Sequence, residues 1–306
     1  MTKKDMSITT RKKTKLNLIW NTLTKLPKAV YLIRLLTSHL LGTGVGKSLF
    51  MCHHASSVLL QGRNVLYITM EMAEEKIAER IDANLLNVPI QDLTDLPKPM
   101  FDKKVTNLSK KTQGQLIIKE YPTASAHSGH FKTLLNELSL KKSFRPDIIF
   151  VDYLNICASS RYKANSGVNS YSYIKAIAEE LRGLAVEANV PIVSATQTTR
   201  SGFASSDVDL TDTSESFGLP ATADLMFALI STEELEELNQ IMVKQLKNRY
   251  NDPTIFKRFI IGIDRSKMRL YDVEQKAQDD ILDSGQEEEY NDEKAKPKKS
   301  FAEFKF

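Results

Sequence analysis

Long apolar runs are missing from this 306-residue sequence, although 42% of its residues are hydrophobic. A transmembrane helix needs at least about 18 consecutive apolar residues, whereas the stretch AVYLIRLL at residues 29–36 is short and contains Arg34. The small-residue cleavage site that would follow a secretory signal peptide is also missing. We therefore expect a cytoplasmic protein without a membrane partner.

Cysteine is scarce as well, since the chain contains two, Cys52 and Cys157. So few cysteines suit a reducing cytosol rather than a secreted domain built on disulfides. We expect both thiols to pack as small apolar groups rather than to bind a metal. At 306 residues the chain is long enough for one large domain or two small ones, with a substantial buried core.

Acidic residues are scarce at the start of the chain. Residues 1–40 hold nine of the 42 Lys and Arg residues but one of the 38 Asp and Glu residues, so this segment carries +8. The remainder therefore carries −4, although the whole chain has a formal net charge of +4. A basic chain favours a nucleic-acid partner, but here a nucleic-acid role must rest on local loops.

Helix and strand patterns alternate from residue 47 onward. Near-continuous apolar segments predict strands at residues 64–70, 115–121, 147–154, 190–197 and 223–230. Segments between them predict helices at residues 47–61, 72–86, 130–142 and 171–189, whereas residues 88–100, with three prolines, predict a loop or broken segment. Residues 243–250, 256–263 and 268–273 predict a C-terminal β meander. This alternation predicts an α/β fold, a mostly parallel twisted sheet with helices on both faces.

Residues 42–49 (GTGVGKSL) have the composition of a phosphate-binding loop. Gly42, Gly44 and Gly46 allow the backbone N–H groups to wrap a phosphate at the start of a helix. Leu41 stands where the first glycine of the usual pattern, G-x-x-x-x-G-K-[ST], would fall. In this motif the lysine reaches the β- and γ-phosphates and the hydroxyl binds Mg²⁺. Besides the glycines, the predicted nucleotide-binding residues are Thr43, Val45, Lys47, Ser48 and Leu49.

Polar side chains follow three of the predicted strands, namely Glu71, Asp152 and Gln197. In parallel sheets, ligands bind at the carboxyl ends of the strands. Asp152 would hold Mg²⁺ through water, unless it is a solubilising acid at a strand end. Glu71 would polarise the attacking water, unless it favours a helix dipole. Gln197 would sense the γ-phosphate by hydrogen bonding.

Two cations, Lys247 and Arg249, lie two residues apart in the segment QLKNRY. On a strand this spacing places both on one face. From there both would reach the triphosphate of a neighbouring subunit, where an arginine supplied in trans stabilises the charge of the transition state. The alternative is a solvated strand face.

The order of these motifs resembles the ATPase domain of DnaB-type replicative helicases, most closely those of T-even bacteriophages. The resemblance covers residues 42–272 and rests on GTGVGKS, NVLYITMEMAEE, IIFVDYLNIC, VPIVSATQTTR, SESFGLPATADLM and KQLKNRY. It implies a RecA-like P-loop NTPase fold with ATP and Mg²⁺ as cofactors. It also implies a homo-oligomer, usually a hexameric ring, that moves 5′→3′ on single-stranded DNA and unwinds duplex at the replication fork.

The resemblance also implies roles for the motif residues. Lys47 and Ser48 bind nucleotide and Mg²⁺, Glu71 is the catalytic base and Asp152 is the Walker B acid. Gln197, together with Arg200, couples the γ-phosphate to the DNA loops. Lys247 and Arg249 reach into the site of the neighbouring subunit.

The DNA loops of this family line the central channel of the ring. Here they correspond to residues 161–169 and 198–218, which are polar and contain glycine. Basic side chains in such loops are suited to phosphate contacts. The DNA-binding residues implied by the resemblance are Arg161, Lys163, Arg200, Glu215 and Gly218.

The two ends of the chain differ from the rest. Residues 1–39 precede the resemblance, and the helical domain that docks primase in this family is not recognisable in them. We back-translated residues 16–36 into degenerate codons and read them in the frame that starts two bases later. This frame permits a string that contains G-G-L-P-N-K-T and resembles the segment that the phage helicases have before the phosphate loop. We therefore interpret residues 1–39 as an out-of-frame translation, with a diverged N-terminus as the alternative.

The sequence thus predicts three segments: an aberrant start at residues 1–39, a RecA-like ATPase domain at 40–273 and a charged, disordered tail at 274–306. The tail ends in FAEFKF, which is either a frayed end or a peptide hook for a partner. Alternative functions are a RecA-like recombinase or other DNA-dependent ATPase, or an inert fragment whose residues 1–39 supply no first strand. The resemblance implies three partners: primase, a helicase loader and a single-strand-binding protein. It also implies that the protein acts in the cytoplasm of a host bacterium.

Overall fold

The computed structural model describes residues 46–163, 167–197, 221–250 and 257–273, together with the backbone of residues 30–37; residue 197 is also described by its backbone alone. The chain divides into two units, Met1–Val273 and Glu274–Phe306, and every described residue lies in the first. Several predicted features lie outside the described residues. They are Gly42, Thr43, Gly44, Val45, Arg200, Glu215, Gly218 and the tail.

The described strands form one sheet whose order is β3-β2-β4-β5-β1-β6-β7-β8-β9. Neighbours from β3 to β6 run parallel, and β7, β8 and β9 continue as antiparallel strands. This confirms the predicted parallel sheet with its C-terminal meander. The strands are β1 (Val30–Thr37), β2 (Val65–Thr69), β3 (Leu116–Glu120), β4 (Ile148–Asp152), β5 (Ile192–Gln197), β6 (Leu225–Ser231), β7 (Gln240–Asn248), β8 (Arg258–Asp264) and β9 (Arg269–Asp272).

Helices cover both faces of this sheet, as predicted. Alternate residues of a strand point to opposite faces, so each face packs against a different set of helices. Val65 and Tyr67 pack with the first two helices, whereas Leu66 and Ile68 pack with the fourth and fifth. The described helices are α1 (Lys47–Leu60), α2 (Glu74–Leu86), α3 (Lys98–Ser109), α4 (Ser128–Lys142), α5 (Ser170–Ala188) and α6 (Glu233–Glu237). Among the described residues, no helix is both long enough and apolar enough to cross a membrane.

Helix α3 begins inside the segment that the sequence predicts to be a loop or broken. Pro97 immediately precedes it and Pro99 lies in its first turn, where a missing N–H is tolerated. None of its residues is buried, and Met100 is 53% exposed. Apolar residues do recur at helical spacing within residues 101–108, but the three prolines of residues 88–100 favour a loop or broken segment.

Strand β1 lies at the centre of the sheet and pairs with both β5 and β6. The inert-fragment interpretation requires that residues 1–39 supply no first strand, and this requirement is wrong. Val30–Thr37 is rich in aliphatic residues, and such a run suits a strand covered on both faces. The out-of-frame origin of residues 1–39 stays a hypothesis, which the nucleotide sequence of codons 14–42 would test.

We predict that Ile33→Pro destabilises the domain. Ile33 pairs with Ala195 on one side and Phe227 on the other. A proline there removes a ladder donor in a central strand, so the free energy of unfolding should fall by about 2 to 4 kcal/mol. Urea unfolding followed by circular dichroism measures this change. The control, Ile33→Val, keeps the N–H; equal midpoints for the two variants would place residue 33 outside the sheet.

Candidate active site

The site forms where β2 and β4 end beside each other and α1 begins. Thr69 and Asp152 are partners in the parallel register, and Glu71 follows two residues after Thr69. Gly46, which precedes α1, has a φ of 104°, a left-handed conformation that favours glycine. Among the described residues, no atom lies within 4 Å of a Cβ built at Gly46, so the left-handed φ is the observed reason for a glycine here.

Lys47, the first residue of α1, brings the two predicted carboxylates together. Its ammonium contacts Glu71 Oε2 and lies 3.5 Å from Asp152 Oδ1. The same ammonium lies 3.4 Å from the centre of the Tyr153 ring, a cation–π arrangement. The lysine side chain is 7% exposed. Among the residues predicted for catalysis, the described side chains of Lys47, Glu71 and Asp152 therefore meet in one place.

Asp152 is fully buried and is oriented by a residue that the sequence did not single out. The Tyr67 hydroxyl donates a hydrogen bond to Asp152 Oδ2 at 3.0 Å. Burial raises the pKa of Asp152, whereas the charge of Lys47 and hydrogen bonds from Tyr67 and Ser48 oppose the increase. Burial and the charge of Asp152 also raise the pKa of Tyr67 well above its usual value, so the phenol stays a donor. A phenol in an apolar strand needs a polar partner, and this was the available signal.

Glu71 is positioned by a turn at the end of β2. The Thr69 hydroxyl donates to the Met72 carbonyl at 2.7 Å and accepts the Met72 N–H at 3.1 Å. The Glu71 side chain is 36% exposed, whereas Asp152 is buried. The pair therefore combines one carboxylate that solvent reaches with one that solvent does not.

The donor set fits Mg²⁺ bound together with a phosphate. Asp152 Oδ1 is buried and has no hydrogen-bond partner among the described residues, and the Ser48 hydroxyl interacts with the same carboxylate. The described residues contain no group of three or more His, Cys, Asp or Glu that could hold a metal alone. Mg²⁺ commonly takes one or two protein ligands and completes its shell with water and phosphate oxygens.

Gln197 lies at the carboxyl edge of the sheet, where the parallel strands end. The predicted trans-acting cations, Lys247 and Arg249, lie at the amino edge, where the parallel strands begin. Gln197 ends β5, so its backbone is at the carboxyl edge with Asp152. Lys247 pairs with Met226 at the start of β6, so it is at the amino edge. Strands of this length separate the edges by roughly 15 to 20 Å. The structure therefore does not bring Lys247 and Arg249 to the Lys47 of the same chain.

Lys247 and Arg249 nevertheless share their surroundings. The Lys247 ammonium and Arg249 Nη2 donate to the carbonyl of Ala221 at 3.3 and 3.2 Å. Arg249 Nη1 also donates to Asp224 Oδ1 at 2.8 Å. Burial and the charge of Arg249 lower the pKa of Lys247, whereas Asp224 opposes the decrease.

The first predicted DNA loop is held at its base by Glu180, which the sequence also did not reveal. Its carboxylate accepts hydrogen bonds from the Ser159 hydroxyl at 2.7 Å and from the Ser160 N–H at 2.9 Å. Burial alone would raise the pKa of Glu180, but the hydrogen bonds lower it. Arg161 is half exposed and pairs with Glu179 at 2.5 Å, and Lys163 is exposed.

Comparison with known proteins identifies relatives of the chain. Residues 42–266 match the family model of the DnaB-like helicase C terminal domain. A DnaB-like replicative helicase of Enterobacteria phage T4 is 48% identical over 237 residues, which are 76% of this chain and 50% of the phage protein. A probable plasmid replicative DNA helicase of Chlamydia psittaci is 29% identical over 215 residues, 67% of this chain and 45% of that protein. The chain thus spans about half the length of these curated relatives.

Solved structures share the fold. A DnaB-like replicative helicase, described with its interactions with primase, has a TM-score of 0.64 and 17% identity, covering 81% of this chain and 58% of that one. A second solved structure, that of an ATPase domain, has a TM-score of 0.65 and 17% identity, covering 81% of this chain and 85% of that one. These likenesses confirm the RecA-like α/β fold that the motif order implies.

We predict that Tyr67→Phe destabilises the site around Asp152. The variant removes a hydrogen bond to a buried carboxylate, which contributes about 1.5 to 3 kcal/mol. The free energy of unfolding, measured with urea, should fall by that amount. Tyr271→Phe is the control because Tyr271 is 49% exposed. An unchanged stability in Tyr67→Phe would mean that the phenol does not support Asp152.

Proposed function

We propose, from the premise that this chain belongs to the family of DnaB-like helicase C-terminal domains, that it is the ATP-hydrolysing motor domain of a replicative DNA helicase. The main support is the convergence of Lys47, Glu71 and Asp152 at the carboxyl edge of a parallel sheet. That edge is where such folds bind their ligands. The proposed motor comprises residues 40–273.

In this proposal the nucleotide replaces the carboxylates around Lys47. The ammonium now neutralises Glu71 and Asp152, and the β- and γ-phosphates of ATP offer it a larger negative charge. Mg²⁺ neutralises charge on the transferred phosphoryl group when it is bound, and Ser48 and Asp152 would hold it. Glu71 is then released to orient a water molecule and accept its proton.

The backbone N–H groups of residues 42–49 would surround the phosphates. Gly46 has the left-handed conformation that such a loop requires. The residues proposed to contact nucleotide are Gly42, Thr43, Gly44, Val45, Gly46, Lys47, Ser48 and Leu49.

We further propose that each active site lies between two subunits of a homo-oligomeric ring, usually a hexamer. Lys247 and Arg249 are at the amino edge of the sheet, far from the Lys47 of their own chain. Cations that project from one edge can reach the carboxyl edge of the next subunit. There Arg249 would stabilise the charge of the transferred phosphoryl group.

Single-stranded DNA would bind to the two loops that follow β4 and β5. Arg161 and Lys163 lie on the first loop, at the surface. Arg200, Glu215 and Gly218 belong to the second loop, which begins directly after Gln197. A side chain at Gln197 that senses the γ-phosphate would therefore transmit the nucleotide state to DNA. Movement 5′→3′ and duplex unwinding at the fork are part of the proposal because the family resemblance implies them.

The surroundings of the motor are part of the proposal. The chain's relatives include a phage replicative helicase, so we place this protein in the cytoplasm of a host bacterium. A solved relative is described with primase, and we propose primase, a helicase loader and a single-strand-binding protein as partners. Residues 1–39 and 274–306 flank the motor and contribute no proposed catalytic residue.

We predict that Lys47→Ala lowers the DNA-stimulated rate of ATP hydrolysis by about 100-fold or more, because it removes a phosphate-binding charge. Glu71→Gln should lower kcat by about 10²- to 10⁴-fold while nucleotide binding, measured by equilibrium titration, persists. Lys76→Ala is the control, since Lys76 is 60% exposed and pairs with Glu79.

Equal rates in the wild type and Lys47→Ala would contradict the proposed ATPase site. The alternative of a recombinase has a separate test. A wild-type chain that exchanges DNA strands but displaces none would favour the recombinase.

We predict that Arg161→Ala and Lys163→Ala weaken binding of single-stranded DNA at all sequences, because both side chains would contact phosphates. The plot of log affinity against log salt has a negative slope, and each lost contact should reduce the steepness of that slope by about 0.7. Fluorescence anisotropy with labelled oligonucleotides at several salt concentrations measures both effects. Lys141→Ala is the control, since Lys141 is 73% exposed at the end of α4. A slope that stays unchanged in both loop variants would exclude this loop from the DNA interface.

A further inference from the structure

Asp224 is a fully buried carboxylate that lies between two arginines at the amino edge of the sheet. Arg182 Nη2 donates to Asp224 Oδ1 at 2.9 Å and Arg182 Nε donates to Asp224 Oδ2 at 3.3 Å. Arg249 Nη1 donates to Asp224 Oδ1 at 2.8 Å. The exposed fractions are 0% for Asp224, 38% for Arg182 and 40% for Arg249. We call this group the clasp; its members are Arg182, Ala221, Asp224, Lys247 and Arg249.

We propose that Asp224 is a positioning residue that holds Arg249 ready for the nucleotide of the neighbouring subunit. This inference rests on the proposed function, in which Arg249 acts in trans. A long arginine side chain loses conformational entropy when it is immobilised. A buried carboxylate that immobilises the guanidinium before the subunits meet removes this cost from the chemical step.

The backbone and the side chains both contribute to the clasp. The backbone N–H of Arg249 donates to the backbone carbonyl of Asp224 at 3.0 Å. Asp224 and Arg249 are therefore connected by one backbone hydrogen bond and by one between their side chains. Arg182 lies on α5, Asp224 directly precedes β6, and Arg249 directly follows β7. The clasp therefore connects three separate segments, and its geometry is tied to the sheet rather than to one loop.

The charge of the clasp suits an anionic partner. Among the clasp residues themselves, Arg182, Lys247 and Arg249 carry three positive charges and Asp224 carries one negative charge. A guanidinium has five N–H donors, and Arg249 uses two of them on Asp224 and Ala221. The remaining donors suit phosphate oxygens.

The chain also connects the clasp to the proposed DNA loops. Helix α5 begins directly after the first loop, and Arg182 lies on this helix. Ala221, whose carbonyl binds Lys247 and Arg249, follows the second loop by three residues. The second loop is thus close along the chain to Ala221, which binds Arg249 directly, whereas the first loop is connected through α5 to Arg182, which binds Asp224.

The test measures DNA-stimulated ATP hydrolysis by the full chain and by Asp224→Asn. We expect kcat to fall by about tenfold or more, toward the value of Arg249→Ala, because the arginine is no longer held. The KM for ATP should change much less than kcat, since Arg249 is proposed to stabilise charge that develops in the transition state. The double variant Asp224→Asn/Arg249→Ala should be no slower than Arg249→Ala alone. Asp147→Asn is the control, an ion-paired aspartate outside the clasp, and should keep the wild-type kcat.

A mixing experiment separates positioning from a loss of folding. Lys47→Ala subunits have an impaired nucleotide site and an intact clasp, and Asp224→Asn subunits have the reverse. Mixed in equal amounts, with co-assembly checked by size, the two should hydrolyse ATP faster per chain than either alone. Asp224→Asn subunits mixed with Lys47→Ala/Arg249→Ala subunits should show no such gain.

Three results would overturn the inference. They are a wild-type kcat in Asp224→Asn, a double variant slower than Arg249→Ala, and co-assembled mixtures without recovery. An inactive wild-type chain would overturn the proposed function and the clasp with it. An active wild type with equal activity in Asp224→Asn would overturn the clasp alone.

Discussion

Lys47 lies between two carboxylates, Glu71 and Asp152, at the point where two parallel strands end. Carboxylates this close repel each other unless a cation separates them, so the start of α1 is bound electrostatically to the ends of β2 and β4. Tyr67 adds a hydrogen bond from β2 to the same carboxylate of β4. The position of the start of α1 against the two strands and the orientation of Asp152 are therefore held by the same group of contacts.

The direction of the parallel strands separates Lys47 from the other two candidate cations, Lys247 and Arg249. Every parallel strand has its carboxyl end at the edge that carries Lys47, and β6 has its amino end at the edge that carries the clasp. One chain therefore has the candidate nucleotide site at one edge and Arg249 at the other. In the proposed assembly, two such chains in head-to-tail contact would complete each other's sites, and repeated contacts of this kind would close into a ring when the rotation allows it.

Most of the architecture could be predicted because it has a local signal. Strands β2, β4 and β6 are near-continuous apolar runs and β5 begins with one, and the helices that cover them have apolar faces. Helix α3 has no buried face, and the prolines at its start outweigh the short apolar repeat of residues 101–108. Strand β1 was not predicted because we interpreted residues 1–39 as an out-of-frame translation, a hypothesis that stays untested, and because its pairing depends on the distant strands β5 and β6.

The sequence by itself determined the motifs, their order and the residues Lys47, Ser48, Glu71, Asp152, Lys247 and Arg249 as candidates, because such patterns depend on near neighbours along the chain. Only the tertiary structure decided which side chains meet. Tyr67 lies 85 residues from Asp152, and Asp224 lies 25 residues from Arg249. Contacts over such separations depend on the order and register of the strands, which no local pattern encodes. The tertiary structure therefore placed the two cations with Asp224 at the amino edge, away from the Lys47 of the same chain.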